Sequence, residues 1–459
     1  MSFDDELFNY VLGAAKKFED NLGEGPIVPS EQNVSNLEAF NEPMPSTQTS
    51  ALEVVKQLNE LGTPVTTLSR SGRFFGFVVG GALPVSVASS WLTSTWDQNS
   101  SLTMLGYLNA KLEQVAQKWI VDLLDLPIGT AVGYVTGATM AGFTALSSAR
   151  TRTFKNLGYD LKKGGLRNAP KIRFIISEDI HATNIRALNY MGHGTDEFEY
   201  IPVDDEGRVK VDELPVLDES CIIVVQAGNI NSGAFDDFRT ICARAKDAGA
   251  WVHVDGAFGG WIKVSKTRNH LTDGMELADS WSIDCHKWLN VPYDSAIAIC
   301  RDREAMLETF TISAGYLTTD GERIPNNFTP ELSRRARGID VWAALKHLGR
   351  DGFSQLIDRC CDHAKWFSVE LEKIGFTIMN DVVINQVVFC LSDNDDERLK
   401  KIMNKVAASG KTWFGPTHWH GRTVYRMSVS SHETNQSDLD VALRAIKDAM
   451  DYVYSLPSE

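Results

Sequence analysis

The chain is poor in cysteine, in positive charge and in metal ligands. Its 459 residues contain 7 cysteines, an odd number, and no two of them have the CxxC spacing of a redox or zinc motif. Free thiols in a reducing compartment are therefore expected in place of a disulfide framework. His418 and His420 share a Trp-rich turn, but no cysteine or further carboxylate accompanies them, so no metal site is predicted.

The shortage of positive charge argues against polyanionic partners. The formal net charge is −15, so neither nucleic acid nor an anionic membrane surface is expected to bind. The most apolar stretch, residues 74–92, is interrupted by glycine, proline and serine, which predicts a buried segment and not a membrane span. The N-terminal segment is acidic and lacks the order of a secretion signal, so a cytoplasmic protein is expected.

Two polar residues follow apolar strands in the central part of the chain. Residues 250–254 have the composition of a buried parallel strand, and Asp255 comes directly after them. Residues 280–284 predict a second short strand, and Lys287 lies just beyond its end. Ligands bind outside the carboxyl ends of strands in open α/β sheets, so both side chains are candidates for one site. A lysine that bonds an aldehyde and a carboxylate that keeps a ring nitrogen protonated suit pyridoxal phosphate.

The strings HVDGAFGG and SWSIDCHKWLNVPYD, which carry Asp255 and Lys287, resemble the group II pyridoxal-phosphate-dependent amino-acid decarboxylases. This family includes the aromatic amino-acid, glutamate and histidine decarboxylases. The resemblance implies an α/β fold of type I, with a mainly parallel sheet in the large domain and a small C-terminal α/β domain. The expected division is an N-terminal arm at 1–85, a cofactor-binding domain at 86–345 and the small domain at 346–459. The arm is expected to pack across a homodimer.

The resemblance also assigns residues to the cofactor, pyridoxal 5'-phosphate. Small residues between a strand at 131–135 and the following helix offer free amides to an anion, and the family's phosphate site corresponds to Ala138 and Thr139. His181 corresponds to a histidine that stacks on the pyridine ring and is suited to proton transfer. Asn229 replaces a threonine of many members and is expected at the ring hydroxyl. The remaining expected contacts are Asp255, Ala257, His286 and Lys287.

Phe74, Phe75 and Phe77 stand in the string RFFGFVVGG, which resembles a family segment that lines the substrate pocket. Glutamate decarboxylases carry polar residues after the phenylalanine pair, whereas this chain continues with apolar ones. Burying an unpaired second carboxylate is costly, so an apolar or aromatic L-amino acid is the expected substrate. Arg426 is expected either to clamp the substrate α-carboxylate or to form a structural ion pair.

The sequence does not decide which residue donates the proton after carbon dioxide is lost. Family members commonly carry a tyrosine on a loop before the arginine-rich string, but residues 317–332 contain none. Tyr316 and His181 are the candidates for this role. Three alternatives therefore stay open beside decarboxylation to an amine: aldehyde-forming oxidative deamination, carbon–carbon cleavage with the same cofactor, and a non-catalytic member of the family.

Overall fold

The computed structural model describes residues 4–312 and 323–456. Its helices in these ranges are α1 (Asp5–Asn21), α2 (Glu31–Ser35), α3 (Ala51–Gly62), α4 (Pro84–Trp96), α5 (Tyr107–Leu123), α6 (Ala138–Asn156), α7 (Leu161–Gly164), α8 (Ala182–Tyr190), α9 (Phe238–Ala248), α10 (Arg303–Phe310), α11 (Arg337–Lys373), α12 (Asp396–Ala408) and α13 (Gln436–Tyr454). The strands are β1 (Ala131–Val135), β2 (Arg173–Ser177), β3 (Phe198–Ile201), β4 (Cys221–Gln226), β5 (Trp251–Asp255), β6 (Ser280–Asp284), β7 (Ala296–Cys300), β8 (Phe376–Ile378), β9 (Gln386–Leu391), β10 (Gly415–Trp419) and β11 (Arg422–Ser428). No helix in the described ranges is long and apolar enough to cross a bilayer.

The larger sheet has seven strands in the order β1-β7-β6-β5-β4-β2-β3. Strands β2 to β6 pair in parallel, and β7 lies antiparallel between β1 and β6. Because β7 is antiparallel to both of its neighbours, β1 runs in the same direction as β6. The carboxyl ends of β1, β6, β5, β4 and β2 therefore meet at one edge of the sheet. The predicted mainly parallel sheet of a type I fold is confirmed.

The strands of this sheet are continuous apolar runs because helices cover both of its faces. Every residue of β1, β4, β5, β6 and β7 is buried. The predicted strands at 131–135 and 280–284 coincide with β1 and β6, and the strand predicted at 250–254 starts one position later and ends on Asp255 itself.

The C-terminal part forms a second sheet of four antiparallel strands in the order β10-β11-β9-β8. Helix α11 leads into it and breaks at Gly349, where φ is +59° and a residue without Cβ avoids strain. The sequence predicts two helices on either side of this break, which lies near the predicted boundary between 86–345 and 346–459. The three domain boundaries stay a prediction.

The N-terminal segment is attached to the C-terminal part by polar contacts. The guanidinium of Arg73 donates to the carbonyl oxygens of Gly25 and Lys411, each at 2.8 Å. The amide of Ile27 donates to the carbonyl oxygen of Gly410 at 2.8 Å. Residues near the start of the chain therefore lie beside the segment that leads into β10, the neighbour of β11.

Candidate active site

The loops after five parallel strands converge at the carboxyl edge of the large sheet. Asp255 ends β5 and is in register with Ser282 of the neighbouring strand β6. Lys287 follows β6, and His181 directly precedes α8, the helix that follows β2. The start of α6, after β1, lies at the same edge. The fold thus brings together the residues that the sequence marks for cofactor chemistry.

Asp255 is a buried carboxylate held by two neutral donors. It is 6% exposed, its Oδ2 accepts from Asn184 Nδ2 at 2.5 Å, and its Oδ1 accepts from the amide of Ala257 at 3.1 Å. No basic side chain in the described parts of the chain forms an ion pair with it. A buried carboxylate without a cation is costly, so the site fits a ligand that brings a cationic N–H, as a protonated pyridine ring does.

Lys287 is surrounded by a carboxylate, an aromatic ring and a neighbouring backbone segment. Its Nζ lies 3.1 Å from Asp284 Oδ2 and 5.8 Å from the centre of the Phe258 ring. A Cβ built at Gly80 would overlap the carbonyl oxygen of Lys287. Only glycine therefore allows the segment 79–81 to pass this close behind the lysine.

The first turn of α6 faces the end of β6. The amide of Ala138, the first residue of α6, donates to Asp284 Oδ1 at 2.6 Å. A Cβ at Gly137 would lie 3.4 Å from Cε1 of His286. Residues of the turn, including Thr139, are partly exposed. The open amides at the start of this helix suit a phosphate group.

His181 caps α8. Its Nδ1 accepts from the amide of Thr183 at 3.3 Å and lies 2.8 Å from the hydroxyl oxygen of the same residue. Burial lowers the pKa of His181, against the opposing charge of Asp255 and together with the charges of Lys287 and Arg426. The imidazole is therefore a neutral donor within the same cluster of charges as the lysine.

His286 lies between the end of β6 and an aromatic ring. Its ring stacks on Tyr293 with centroids 4.2 Å apart, and its Nε2 lies 3.4 Å from Asp284 Oδ1. Burial lowers the pKa of His286, which Asp284 partly offsets. The side chain is thus a neutral ring beside the start of α6.

Asn229 stabilises the turn after β4. Its Oδ1 accepts from the amides of Asn231 and Ser232 at 2.8 and 3.2 Å. Its Nδ2 is buried and has no partner among the described residues. This nitrogen packs against Gly207, so the burial of Asn229 does not support the expected contact with the ring hydroxyl.

Arg426 lies in β11 and reaches the same turn. Its Nη1 donates to the carbonyl oxygen of Ile230 at 2.7 Å. Burial lowers its pKa to about 10, and no acidic side chain in the described ranges pairs with it. The structural ion pair that was the expected alternative therefore has no acidic partner among the described residues. The positive charge of the guanidinium helps to lower the pKa of His181.

The three phenylalanines of the string RFFGFVVGG have different surroundings. Phe75 is 1% exposed, so its ring has no surface open to a substrate. The ring of Phe74 is also buried, stacked on Trp413 with centroids 5.1 Å apart. Phe77 is 65% exposed beside the same tryptophan. The expected substrate role of Phe74 and Phe75 is thus not supported, whereas Phe77 remains available. Tyr316 lies outside the described residues.

A family model described as the pyridoxal-dependent decarboxylase conserved domain matches residues 35–392. The chain belongs to this family. It is a pyridoxal-phosphate-dependent amino-acid decarboxylase, and therefore a carboxy-lyase.

The decarboxylase is similar to several known proteins over most of its length. An aromatic-L-amino-acid decarboxylase of Bacillus atrophaeus is 25% identical over 81% of this chain and 80% of its own. A 4-hydroxyphenylacetaldehyde synthase of Rhodiola rosea is 24% identical over 88% and 86%. The crystal structure of Oryza sativa TDC with PLP and tryptamine superposes with a TM-score of 0.89 at 20% identity, covering 98% and 99% of the two chains. This last likeness confirms the fold.

Two residues of the decarboxylase site were not found from the sequence. Asn184 faces Asp255 from α8, and Asp284 contacts Lys287, His286 and the start of α6. Asp284 ends a buried strand as Asp255 does, so the same rule would have found it. Asn184 gave a weaker signal, a polar residue within the first turn of a helix that packs on the sheet.

Proposed function

We propose that the decarboxylase converts an apolar or aromatic L-amino acid to its amine and carbon dioxide. The observation that carries the site assignment is the buried Asp255 carboxylate, which has neutral donors and no cation in the described ranges and ends the strand next to the one that Lys287 follows. The residues proposed to hold the cofactor are Ala138, Thr139, His181, Asn229, Asp255, Ala257, His286 and Lys287.

Each group in the proposed site has a task that follows from its surroundings. Bound pyridoxal phosphate supplies an electron sink for the bond that breaks. The amine of Lys287 bonds the cofactor aldehyde, and Asp255 accepts the hydrogen of the ring nitrogen. Free amides and the hydroxyl of Thr139 at the start of α6 hold the phosphate. His181 would face the bound cofactor and supply a proton to the α-carbon, with Tyr316 as the other proposed donor.

The proposed substrate class rests on Arg426 and Phe77. Arg426 provides one buried cation without a protein carboxylate, which suits the α-carboxylate of one amino acid. Phe77 offers an exposed apolar ring, and a second carboxylate on the substrate would need another cation. Carbon dioxide release from the twenty common amino acids, 5-hydroxytryptophan and dihydroxyphenylalanine tests this proposal. Preference for glutamate or aspartate would contradict it.

The role of Lys287 is tested by trapping its bond to the cofactor. Borohydride reduction followed by peptide mapping should place the label on Lys287, and Lys287→Ala should lose both label and turnover. Lys263→Ala is a matched control, because the side chain of Lys263 is also 15% exposed and ion-paired. A label that stays in Lys287→Ala would disprove the assignment.

A second candidate reaction is oxidative deamination, which the lack of tyrosine at 317–332 favours. Without a fast proton donor, the carbanion reacts with oxygen. Amino acid, oxygen and water then give aldehyde, carbon dioxide, ammonia and hydrogen peroxide. We expect a measurable aldehyde fraction under air that falls when oxygen is removed, with the amine as main product. Tyr316→Phe should raise this fraction sharply, and an unchanged product ratio would end the case for Tyr316.

We also propose a homodimer, for a reason that differs from the sequence-based one. The sequence-based reason is that the N-terminal arm is too small to bury the apolar segment 74–85 alone, but Phe74, Phe75 and Val78 are already buried within a single chain. Exposed apolar side chains instead occur on the N-terminal arm, on α4 and at residues 104–108. Helices α1, α3 and α4 form a groove of about 890 Å³ that is lined largely by apolar residues, and an exposed apolar groove favours an interface.

Light scattering tests the dimer. Leu58→Glu combined with Trp91→Glu should shift the mass to that of a monomer, because both side chains are exposed at the groove. Val216→Glu is the control, since Val216 is 88% exposed and belongs to the large sheet region. A monomeric and fully active wild-type chain would contradict the proposal.

We propose a cytoplasmic location on the state of the thiols. All seven cysteines are free and buried, which fits a reducing compartment. Fractionation of cells that express the chain tests the location, and recovery in a secreted fraction would contradict it.

A further inference from the structure

The carboxylate of Asp284 accepts a hydrogen bond from the first backbone amide of α6, which is also the first donor of the proposed phosphate site. Asp284 is 2% exposed, and its Oδ1 accepts from the amide of Ala138 at 2.6 Å. Its Oδ2 lies 3.1 Å from Nζ of Lys287. The same carboxylate therefore engages both the amide that the phosphate needs and the amine that the aldehyde needs.

The charges around Asp284 leave Lys287 as its partner. On its own segment, burial lowers the pKa of His286 and raises that of the Cys285 thiol, so both are neutral. From the loop before β7, burial raises the pKa of Tyr293 to about 12. From α8, burial lowers the pKa of His181. From α6, the facing group is the Ala138 amide itself.

The neighbouring strand adds to the negative charge. Asp255 ends β5, directly beside β6. Among the described residues, Lys287 is the side chain that forms a cationic pair with Asp284, apart from the neutral His286. An arriving phosphate therefore meets a buried carboxylate whose lysine partner is required for the bond to the aldehyde.

We propose that Asp284 is a built-in competitor of the cofactor phosphate and limits how tightly this decarboxylase holds its cofactor. The inference rests on the proposed function of the α6 start. One amide hydrogen serves one strong acceptor, so the phosphate and Asp284 compete for Ala138. Asp284 also holds the amine of Lys287 in an ion pair, with its Oδ2 3.1 Å from Nζ, and this contact must break before the amine can bond an aldehyde. Both effects weaken loading and favour release.

Asp284→Asn separates this role from simple helix capping. The substituted side chain keeps an oxygen that can cap the helix, but this oxygen is uncharged and so competes more weakly for the amide of Ala138, and the new N–H can donate to phosphate. We expect the dissociation constant of pyridoxal phosphate, measured by calorimetry near pH 8, to fall about tenfold to 100-fold, the range of one hydrogen bond to a charged group. Release of bound cofactor during dialysis should slow by a similar factor.

Two further probes divide the effect between its causes. Pyridoxine 5'-phosphate has an alcohol in place of the aldehyde and cannot bond Lys287, so tighter binding of this probe measures the competition for phosphate alone. The advantage of Asp284→Asn should shrink toward pH 6, because protonation of the phosphate group lowers its negative charge and so weakens its repulsion from the carboxylate.

Asp294→Asn is the matched control, because this nearby carboxylate pairs with Arg337 and not with the α6 start. It should leave both dissociation constants unchanged. Unchanged or weaker binding of pyridoxine 5'-phosphate in Asp284→Asn, or an effect independent of pH, would overturn the competitor role. If the wild-type chain binds neither probe, the proposed phosphate site is wrong as well. Circular dichroism and thermal unfolding confirm that each variant is folded.

Discussion

The contact between Asn184 and Asp255 allows a sharp test of the site, because one buried amide holds one oxygen of the carboxylate. Asn184→Leu removes the donor 2.5 Å from Asp255 Oδ2 and leaves only the amide of Ala257 on the other oxygen. A hydrogen bond to a charged group is worth about 1.5–3 kcal/mol. Because the carboxylate is then free to rotate away from the ring nitrogen, we expect kcat to fall by about 10-fold to 100-fold, with a smaller change in KM.

Asn184→Asp turns the same position into a pH probe. Two carboxyl groups at 2.5 Å cannot both be charged at low cost, so activity should be lost at high pH. It should partly return as the pH falls, because the protonated substituent donates to Asp255 as the amide did. Carbon dioxide release over a pH series measures this change, and the absorbance of bound cofactor reports loading separately.

Asn189 provides the matched controls, because it lies on the same helix and is exposed. Asn189→Leu and Asn189→Asp should keep the wild-type rate and pH profile. A wild-type kcat in Asn184→Leu, or an unshifted pH profile in Asn184→Asp, would refute the positioning role of Asn184.

Three other changes test separate parts of the structure. Gly80→Ala should abolish cofactor loading, because a Cβ there overlaps the backbone of Lys287; Gly13→Ala, with open space around it, should not, and equal loading would disprove the close approach. Burial lowers the pKa of His253 to about 4, so the unfolded chain binds the proton first and stability should fall by about 2 kcal/mol between pH 7.5 and pH 5. His253→Gln should flatten that slope in denaturant titrations, and an unaltered slope would contradict the assignment. Arg426→Lys should raise KM for the substrate at least about tenfold, since a bidentate contact becomes a point charge, and an unchanged KM would remove Arg426 from the substrate site.

The polar residues at the carboxyl ends of the parallel strands could be predicted, because the apolar run and the polar residue that ends or follows it are adjacent in the sequence. A strand buried on both faces must be apolar throughout, so a charged residue at its end is conspicuous. Asp255 and Lys287 were found this way, and the structure puts them after adjacent strands. The residue types alone do not prove a role, but strand position and residue type together narrow the chemistry.

Strand β10, at the edge of the smaller sheet, was missed for an equally physical reason. Strand β10 (Gly415–Trp419) includes Pro416 and His418, and it stands at the edge of its sheet, where proline and polar residues are tolerated. Such a segment lacks the alternation or the apolar run that predicts a strand. Its neighbour β11, which is central and largely buried, was predicted.

Contacts between segments that are distant in the chain could not be predicted from the sequence. Asn184 and Asp255 meet only because α8 packs on the sheet beside β5. The inward direction of Phe75 depends on contacts with Trp413 and Ser428, whose backbones bond to it from the C-terminal part. Local patterns place residues on elements, whereas tertiary packing decides which side chains face the ligand.

The pairing of β1 with β7 has a consequence for how the site forms during synthesis. Strand β1 leads into the turn with Ala138, stands at the edge of the sheet, and has Ala131 in register with Cys300 of β7. Its hydrogen-bonding neighbour therefore leaves the ribosome long after it, and closing so long a loop is entropically costly until the intervening strands have folded. We expect the turn proposed to hold the phosphate to become fixed only when β7 inserts between β1 and β6. A nascent chain that ends before Cys300 should therefore hold the lysine without this completed turn, and we expect cofactor capture to follow domain completion.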